Sequence, residues 1–230
     1  MLLVLYAYGW NGIKPTTADQ NLSKFYRSIQ VNPNITYVVV QNQQKVTISS
    51  PEFVKMIKTR SGCVDAYQVW NDAIEQLDPA LTTYSKIFFV KNKYKDFSSN
   101  WINQLDHRLT GETKLVTSKI LISHLTGRCR NKYLFRFSND SRYGLHIHTV
   151  LWGITSDIYP ILKPYFMTSP VGKNRKKQYF MGFITLSHKY NISDAFSNEM
   201  NIDYRGGLSE TKTNKLYEFA KQHKRTYIYS

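Results

Sequence analysis

Apolar residues along the first 110 positions come in short unbroken runs separated by helix-spaced segments. "LLVLYAY" (Leu2 to Tyr8), "ITYVVV" (Ile35 to Val40) and "KIFFVKN" (Lys86 to Asn92) have no polar side to alternate with. Such runs read as strands buried on both faces. "EFVKMIKTR" predicts a third strand between the second and the fourth, or a short helix leading into one. Between the strands, Leu22, Phe25, Tyr26 and Ile29 recur at helical spacing, as do Tyr67, Trp70, Ile74 and Leu77. "SSNWINQLDHRL" predicts a helix capped by serine, with Trp101, Ile102, Leu105 and Leu109 inward. This strand–helix alternation predicts a single α/β domain over residues 1–230 with a mostly parallel, Rossmann-like central sheet flanked by helices.

Residues 111–230 are less regular. "TKLVTSKILIS", "KYLFRFS" and "LHIHTVLWG" predict strands, the last with His146, His148 and Val150 on one face. "SDIYPILKPYF" predicts a short helix capped by Ser156 and broken by prolines, and the tail predicts a final helix capped at Ser209.

In open parallel sheets, ligands sit at the carboxyl ends of the strands where strand order switches. The residues just after the predicted strands are therefore the candidate contacts: Tyr8 and Gly9, Gln41 and Asn42, Arg60 to Asp65, and Lys91, Asn92 and Lys93. Arg60 could hold a diphosphate with help from the following helix N-terminus. Asp65 would face the same crevice or complement the helix dipole.

Charge narrows the ligand class. Lys and Arg number 31 against 16 Asp and Glu, a net +15, so anions are attracted: nucleotide phosphate, nucleic acid or an acidic surface. Weak, non-specific and salt-sensitive nucleic-acid binding is expected on charge alone. Aromatic residues reach 14%, enough to serve both a core and stacking on planar ligands. Two cysteines, Cys63 and Cys129, are too few for a disulfide framework or a tetrahedral cysteine zinc site. They read as thiols of a reducing compartment. No signal-peptide pattern and no membrane-length apolar run occurs, so a cytoplasmic, non-secreted protein is expected.

The pair His146 and His148 raises a rival reading. A His-hydrophobic-His strand element is locally similar to the metal centre of rolling-circle nucleases, since imidazoles on one strand face can share a cation. That chemistry also needs a tyrosine nucleophile, and the nearest fit is Tyr217 with Lys221. A nicking or nucleic-acid-binding protein is the alternative. His124 gives a His-x-Thr element without the second copy that a paired phosphoesterase needs.

The order of "LYAYGW", "NLSKFY", "ITYVVVQN", "KTRSGCVDAYQVWNDAI", "YSKIFFVKNKYKDF", "WINQLDHRL", "KLVTSKI", "HIHTVLWGITSD" and "YNISDAF" resembles that of GT-A-like glycosyltransferase domains found in large DNA viruses, algae and plants. The resemblance spans about residues 2–205. It implies a transferase that moves a sugar from a nucleotide-sugar donor to a glycan or protein-linked acceptor. Residues 1–110 would form the nucleotide-binding half and residues 111–230 the acceptor-binding half. It implies that Tyr8, Gln41, Asn42, Arg60, Asp65, Lys91, Asn92 and Lys93 contact the donor. His148 and Trp152 would line an acceptor or sugar pocket. Asp157, which follows the strand "HIHTVLWGIT" where a helix begins, is the candidate general base unless it simply favours that helix N-terminus, with His146 as the other candidate. A virus-infected host cell is one setting the resemblance implies.

One departure bears on cofactors. Such enzymes carry Asp-x-Asp where this chain has "VKNKYKDF", and lysines cannot replace carboxylates as ligands of Mn²⁺ or Mg²⁺. Either lysines neutralise the diphosphate directly, or the domain binds without catalysis.

Overall fold

The structure is a computed structural model. It describes residues 1–9, 13–42, 44–60, 63, 65–118, 120–124, 135–136, 143–147, 150–167, 191–194 and 201–202, with backbone alone for 120–147, 167 and 191–202. The predicted helix capped at Ser209, and Tyr217, Lys221, His148 and Cys129, lie outside the described residues.

The central sheet has seven strands. Four come from the alternating half: β1 (Leu2–Tyr8), β2 (Ile35–Gln41), β3 (Val54–Lys58) and β4 (Lys86–Lys91). Three come later: β5 (Thr113–Thr117), β9 (Leu151–Thr155) and β10 (Asn191–Asp194). Their spatial order is β10-β5-β9-β4-β1-β2-β3. β1 is parallel to β2 and β4, β2 to β3, and β10 to β5, while β9 runs antiparallel to both β4 and β5. The expected mostly parallel α/β sheet is present.

Every residue of β1 is buried, which is why its apolar run does not alternate. Leu3, Leu5, Ala7, Phe89 and Trp152 face α2 (Ala66–Leu77) and α4 (Tyr159–Met167). Leu2, Val4, Tyr6, Tyr8, Phe88 and Val90 face α1 (Pro15–Arg27) and α3 (Trp101–Arg108). The result is three layers, helices on both faces of one sheet. α1 starts on Pro15, whose fixed φ suits a first helical turn. α2 is capped by Asp65. The serine cap expected on α3 is not there: its N-cap is Asn100, without a side-chain cap bond. Ser156 opens a 3₁₀ turn (Ser156–Ile158) ahead of α4, and Pro164 sits inside that helix.

Two runs that read as single strands are each divided. "TKLVTSKILIS" becomes β5 and β6 (Ile120–His124), and "LHIHTVLWG" becomes β8 (Tyr143–Ile147) and β9. β6 and β8 belong to a second, four-stranded sheet, ordered β11-β6-β8-β7, with β7 (Phe135–Arg136) and β11 (Asn201–Ile202) outermost. Thr117 faces Trp152 in one sheet and Ile120 faces Ile147 in the other. The Ser118 N–H to Leu151 carbonyl bond of 2.9 Å closes the first pairing. The chain thus makes one antiparallel ribbon that passes from sheet to sheet, and apolar content continues across the break.

Gly153 marks how tightly β9 is set between β4 and β5. A Cβ there would lie 2.4 Å from Phe88 Cδ1, 2.8 Å from its Cε1 and 3.3 Å from the Ile87 carbonyl. Phe88 is fully buried and has nowhere to swing. Gly153→Ala is expected to destabilise by about 1–3 kcal/mol. A urea midpoint unchanged from the parent would show that the Phe88 ring yields.

Candidate functional site

Strand order reverses direction at β1: β2 and β3 extend to one side, β4 to the other. The crevice beyond the carboxyl ends of β1 and β4 is therefore the switch point at which open α/β sheets bind ligands. Gly9 leaves β1 here with φ of 74°, the left-handed conformation that glycine adopts without steric cost. A Cβ on it would meet Gln44 Cβ at 2.8 Å, so Gln44 packs directly on this turn.

Period-two alternation sends successive side chains of β4's end to opposite layers. Lys91 goes to the α2 layer. It is 8% exposed, with its Nζ 4.5 Å from the Tyr67 ring centroid, 5.7 Å from that of Trp70 and 3.5 Å from the Tyr67 hydroxyl. Burial pushes its ammonium down to about 7, while the nearby Asp65 carboxylate raises it and Lys93 lowers it further. Asn92 goes to the α1 layer and is fully buried. The Tyr6 hydroxyl donates to its Oδ1 at 3.0 Å, and Asn21 Nδ2 donates to its carbonyl at 2.7 Å. Its Nδ2 has no hydrogen-bond partner among the described residues. Lys93 is exposed.

Several expected contacts lie on this edge with their polar groups engaged by the scaffold. The Tyr8 hydroxyl donates to Asp19 Oδ1 at 2.5 Å, and the Thr47 hydroxyl donates to the other oxygen of that carboxylate. Burial, then that hydrogen bond, raises the Tyr8 phenol far above its ordinary value. Gln41 is the last residue of β2, and its carbonyl accepts from Thr59 N at 2.9 Å. Asn42 Nδ2 donates to the Cys63 carbonyl at 3.3 Å, and its Oδ1 accepts from Thr59 Oγ1 at 3.2 Å. Asp65 Oδ1 accepts from the Tyr67 and Gln68 amides at 2.9 and 3.1 Å, which is helix capping. Arg60 turns away: its backbone amide donates to Asp72 Oδ2 at 2.9 Å, and its Nε lies 3.5 Å from Asp72 Oδ1.

Two expected chemical roles do not survive placement. β9 is antiparallel to β4, with Leu151 opposite Val90 and Thr155 opposite Lys86. Asp157 therefore emerges at the amino edge of β4, a strand length from Lys91 and Asn92, and pairs with Lys114 Nζ at 3.0 Å. It does not share the crevice and is no base for it. Trp152 is fully buried and stacks on Phe89 at 4.2 Å between ring centroids, so it lines the core and not a sugar pocket. His146 lies in β8 opposite Leu121. That segment enters the main sheet at Val150, whose carbonyl accepts from Lys91 N at 2.7 Å. Chain connectivity thus leads from His146 towards the crevice, and from Asp157 away from it.

Asp19, Asn21, Tyr6 and Thr47 escaped the sequence reading. A signal existed for one of them, Tyr6. Tyr6 and Tyr8 sit on the same side of a strand, and buried phenols need hydrogen-bond partners. A groove lined by Ser28, Asn32, Tyr37, Asn100 and Asn103 opens at the opposite edge, with Tyr37 its one titratable group.

The end of β4 does not suit a divalent cation. Lysine has no acceptor, and Asn92 has its Oδ1 and carbonyl engaged from within. Among the described residues no group of three or more His, Cys, Asp or Glu is placed to hold a metal.

No protein-family model matches the sequence, and no curated protein matches it. Solved structures do. The mannosyltransferase PcManGT from Pyrobaculum calidifontis, solved with GDP-Man and Mn²⁺, is similar with a TM-score of 0.52 at 9% identity. The match covers 97% of this chain and 64% of that one. A protein assigned as a nucleotide-diphospho-sugar transferase from Desulfovibrio desulfuricans G20 is similar with a TM-score of 0.50 at 10% identity, over 98% of this chain and 97% of that one. The chain shares the fold of these two solved structures. Among the described residues, no helix is long and apolar enough to cross a membrane.

Proposed function

We propose that this chain is a transferase that binds a nucleotide sugar at the switch point and passes the sugar to a glycan or glycoprotein acceptor. The observation that carries the reading is the end of β4. There Lys91 on the α2 side and Asn92 on the α1 side, the latter with an unspent amide donor, end the strand next to the switch point where this fold class takes its ligands. The net charge of +15 favours a diphosphate in the same place. Tyr8, Asn42, Asp65 and Asp19 act as the frame of this crevice. Residues 1–110 supply its nucleotide side. His146 is the candidate base on the acceptor side, since imidazole titrates near neutral pH.

The test is a melting panel of UDP, GDP, CDP and dTDP and their sugars. A ligand that binds only the folded chain at 100 times its Kd adds about 2.7 kcal/mol of stability. No shift with any of them at millimolar concentration refutes the reading. With an active pair in hand, the leaving group names the reaction. Release of nucleoside diphosphate marks sugar transfer; release of pyrophosphate from a nucleoside triphosphate and a sugar phosphate marks nucleotidyl transfer instead.

A further inference from the structure

We propose that the end of β4 binds the diphosphate of the donor directly, through the Asn92 amide and the Lys91 ammonium, with no divalent cation between them. This rests on the nucleotide-sugar reading above.

Asn92 has acceptor and donor groups, and the fold treats them unequally. Its Oδ1 takes the Tyr6 hydroxyl and its carbonyl takes Asn21 Nδ2. Its Nδ2 is buried with no acceptor among the described residues. A buried donor without a partner is costly, and an acceptor brought by a ligand removes that cost. What remains to be recognised is therefore an acceptor, and phosphate oxygens are acceptors with charge. A metal ion would need the reverse: oxygen ligands left over at this strand end.

Lys91 points the same way from the other layer. Its ammonium rests against the Tyr67 and Trp70 rings, whose faces favour a cation. Asp65 is close enough to act on Lys91 electrostatically, but its Oδ1 caps α2. At and below neutral pH the strand thus ends with an ammonium on one side and a neutral donor on the other. A divalent cation placed there would meet repulsion from Lys91 and no carboxylate from β4. A diphosphate would meet a cation and a donor, both positioned before it arrives.

The experiment is calorimetric titration of the full chain with inorganic pyrophosphate, UDP and GDP, each in EDTA and in Mn²⁺. The expected result is an affinity within about twofold between the two conditions, because the groups that contact the anion belong to the chain. Asn92→Ala and Lys91→Met are each expected to weaken binding by about tenfold or more, as hydrogen bonds to charged groups do when removed. Asn92→Asp, which exchanges the donor for a carboxylate, is expected to lose binding in EDTA and regain part of it with Mn²⁺. Far-ultraviolet circular dichroism confirms that each variant is folded, and the parent titration stands independently of all three. Binding by the parent only with Mn²⁺ overturns the inference and leaves the nucleotide reading intact. Metal-free binding that survives both Asn92→Ala and Lys91→Met overturns the assignment to this strand end. No binding in either condition overturns the inference, and the melting panel of all four nucleotides and their sugars then decides the reading.

Discussion

Trp152→Ala is expected to lower the free energy of unfolding by about 3–5 kcal/mol, the usual cost of truncating a large buried aromatic. The indole is fully buried. It stacks on Phe89 at 4.2 Å with the planes 20° apart, and meets Trp70 at 5.9 Å and Phe166 at 6.0 Å in edge-on geometry. Those partners come from β4, α2 and α4, so the deletion opens a cavity where three elements converge, and a close-packed interior relaxes into such a hole only in part. Trp152→Phe keeps a ring on Phe89 and is expected to cost less. Urea unfolding followed by circular dichroism measures both. If Trp152→Ala retained full stability but lost sugar transfer, the residue would belong to a pocket after all, and its place in the core would be mistaken.

Trp152 also shows what the sequence could and could not say. That an aromatic in "TVLWGIT" sits on a strand was legible, because the run has strand composition. Which layer it enters was not, because that depends on its neighbours in the sheet. The same limit misplaced Asp157. A residue after a strand lies at the ligand edge only if the strand runs with the others, and β9 runs against β4 and β5. Nothing local in "LWGITSD" encodes that direction; it follows from the ribbon that β5, β6, β8 and β9 make between two sheets. The first 110 residues were readable for the converse reason. There each strand is buried on both faces and each connecting helix has a marked apolar stripe, so local pattern and global position agree. At the site, position was legible and chemistry less so. Tyr8, Asn42, Asp65, Lys91 and Asn92 do gather at the carboxyl edge. Whether a polar group is free for a ligand depends on partners distant in sequence: Asp19 for Tyr8, Thr59 and Cys63 for Asn42, and Tyr6, 86 positions away, for Asn92.

Stability should rise with pH between about 7 and 8.5, and Lys91→Met should remove that rise. The sign follows from the direction of the shift. Lys91 titrates near 7 in the folded chain because burial opposes its charge, against an ordinary value of 10.5. Between those values the unfolded chain binds a proton that the folded chain does not, so each step up in pH favours the fold. The contribution is complete above the unfolded pKa and is lost as pH falls through the folded one. For a single group the slope reaches at most about 1.4 kcal/mol per pH unit. Among the described residues, the groups bearing on the ammonium include Asp65, which raises its pKa, Lys93, which lowers it, the Tyr67 hydroxyl, and the Tyr67 and Trp70 rings against which it packs. The window closes on the alkaline side because burial, with Asp72 and Asp65 nearby, pushes the Cys63 thiol up to about 11. An acid with a raised pKa costs stability as pH climbs past its unfolded value, so Cys63 opposes Lys91 above about pH 8.5. The measurement is the urea midpoint of parent and Lys91→Met at closely spaced pH values. Parallel curves would mean that the lysine keeps its ordinary pKa. Anion binding supplies the second arm. If a diphosphate contacts the charged form, its Kd should rise towards tenfold per pH unit above 7, and binding there should take up a proton from the buffer. Titration in two buffers of different ionisation enthalpy reads that proton directly, and Lys91→Met should abolish it.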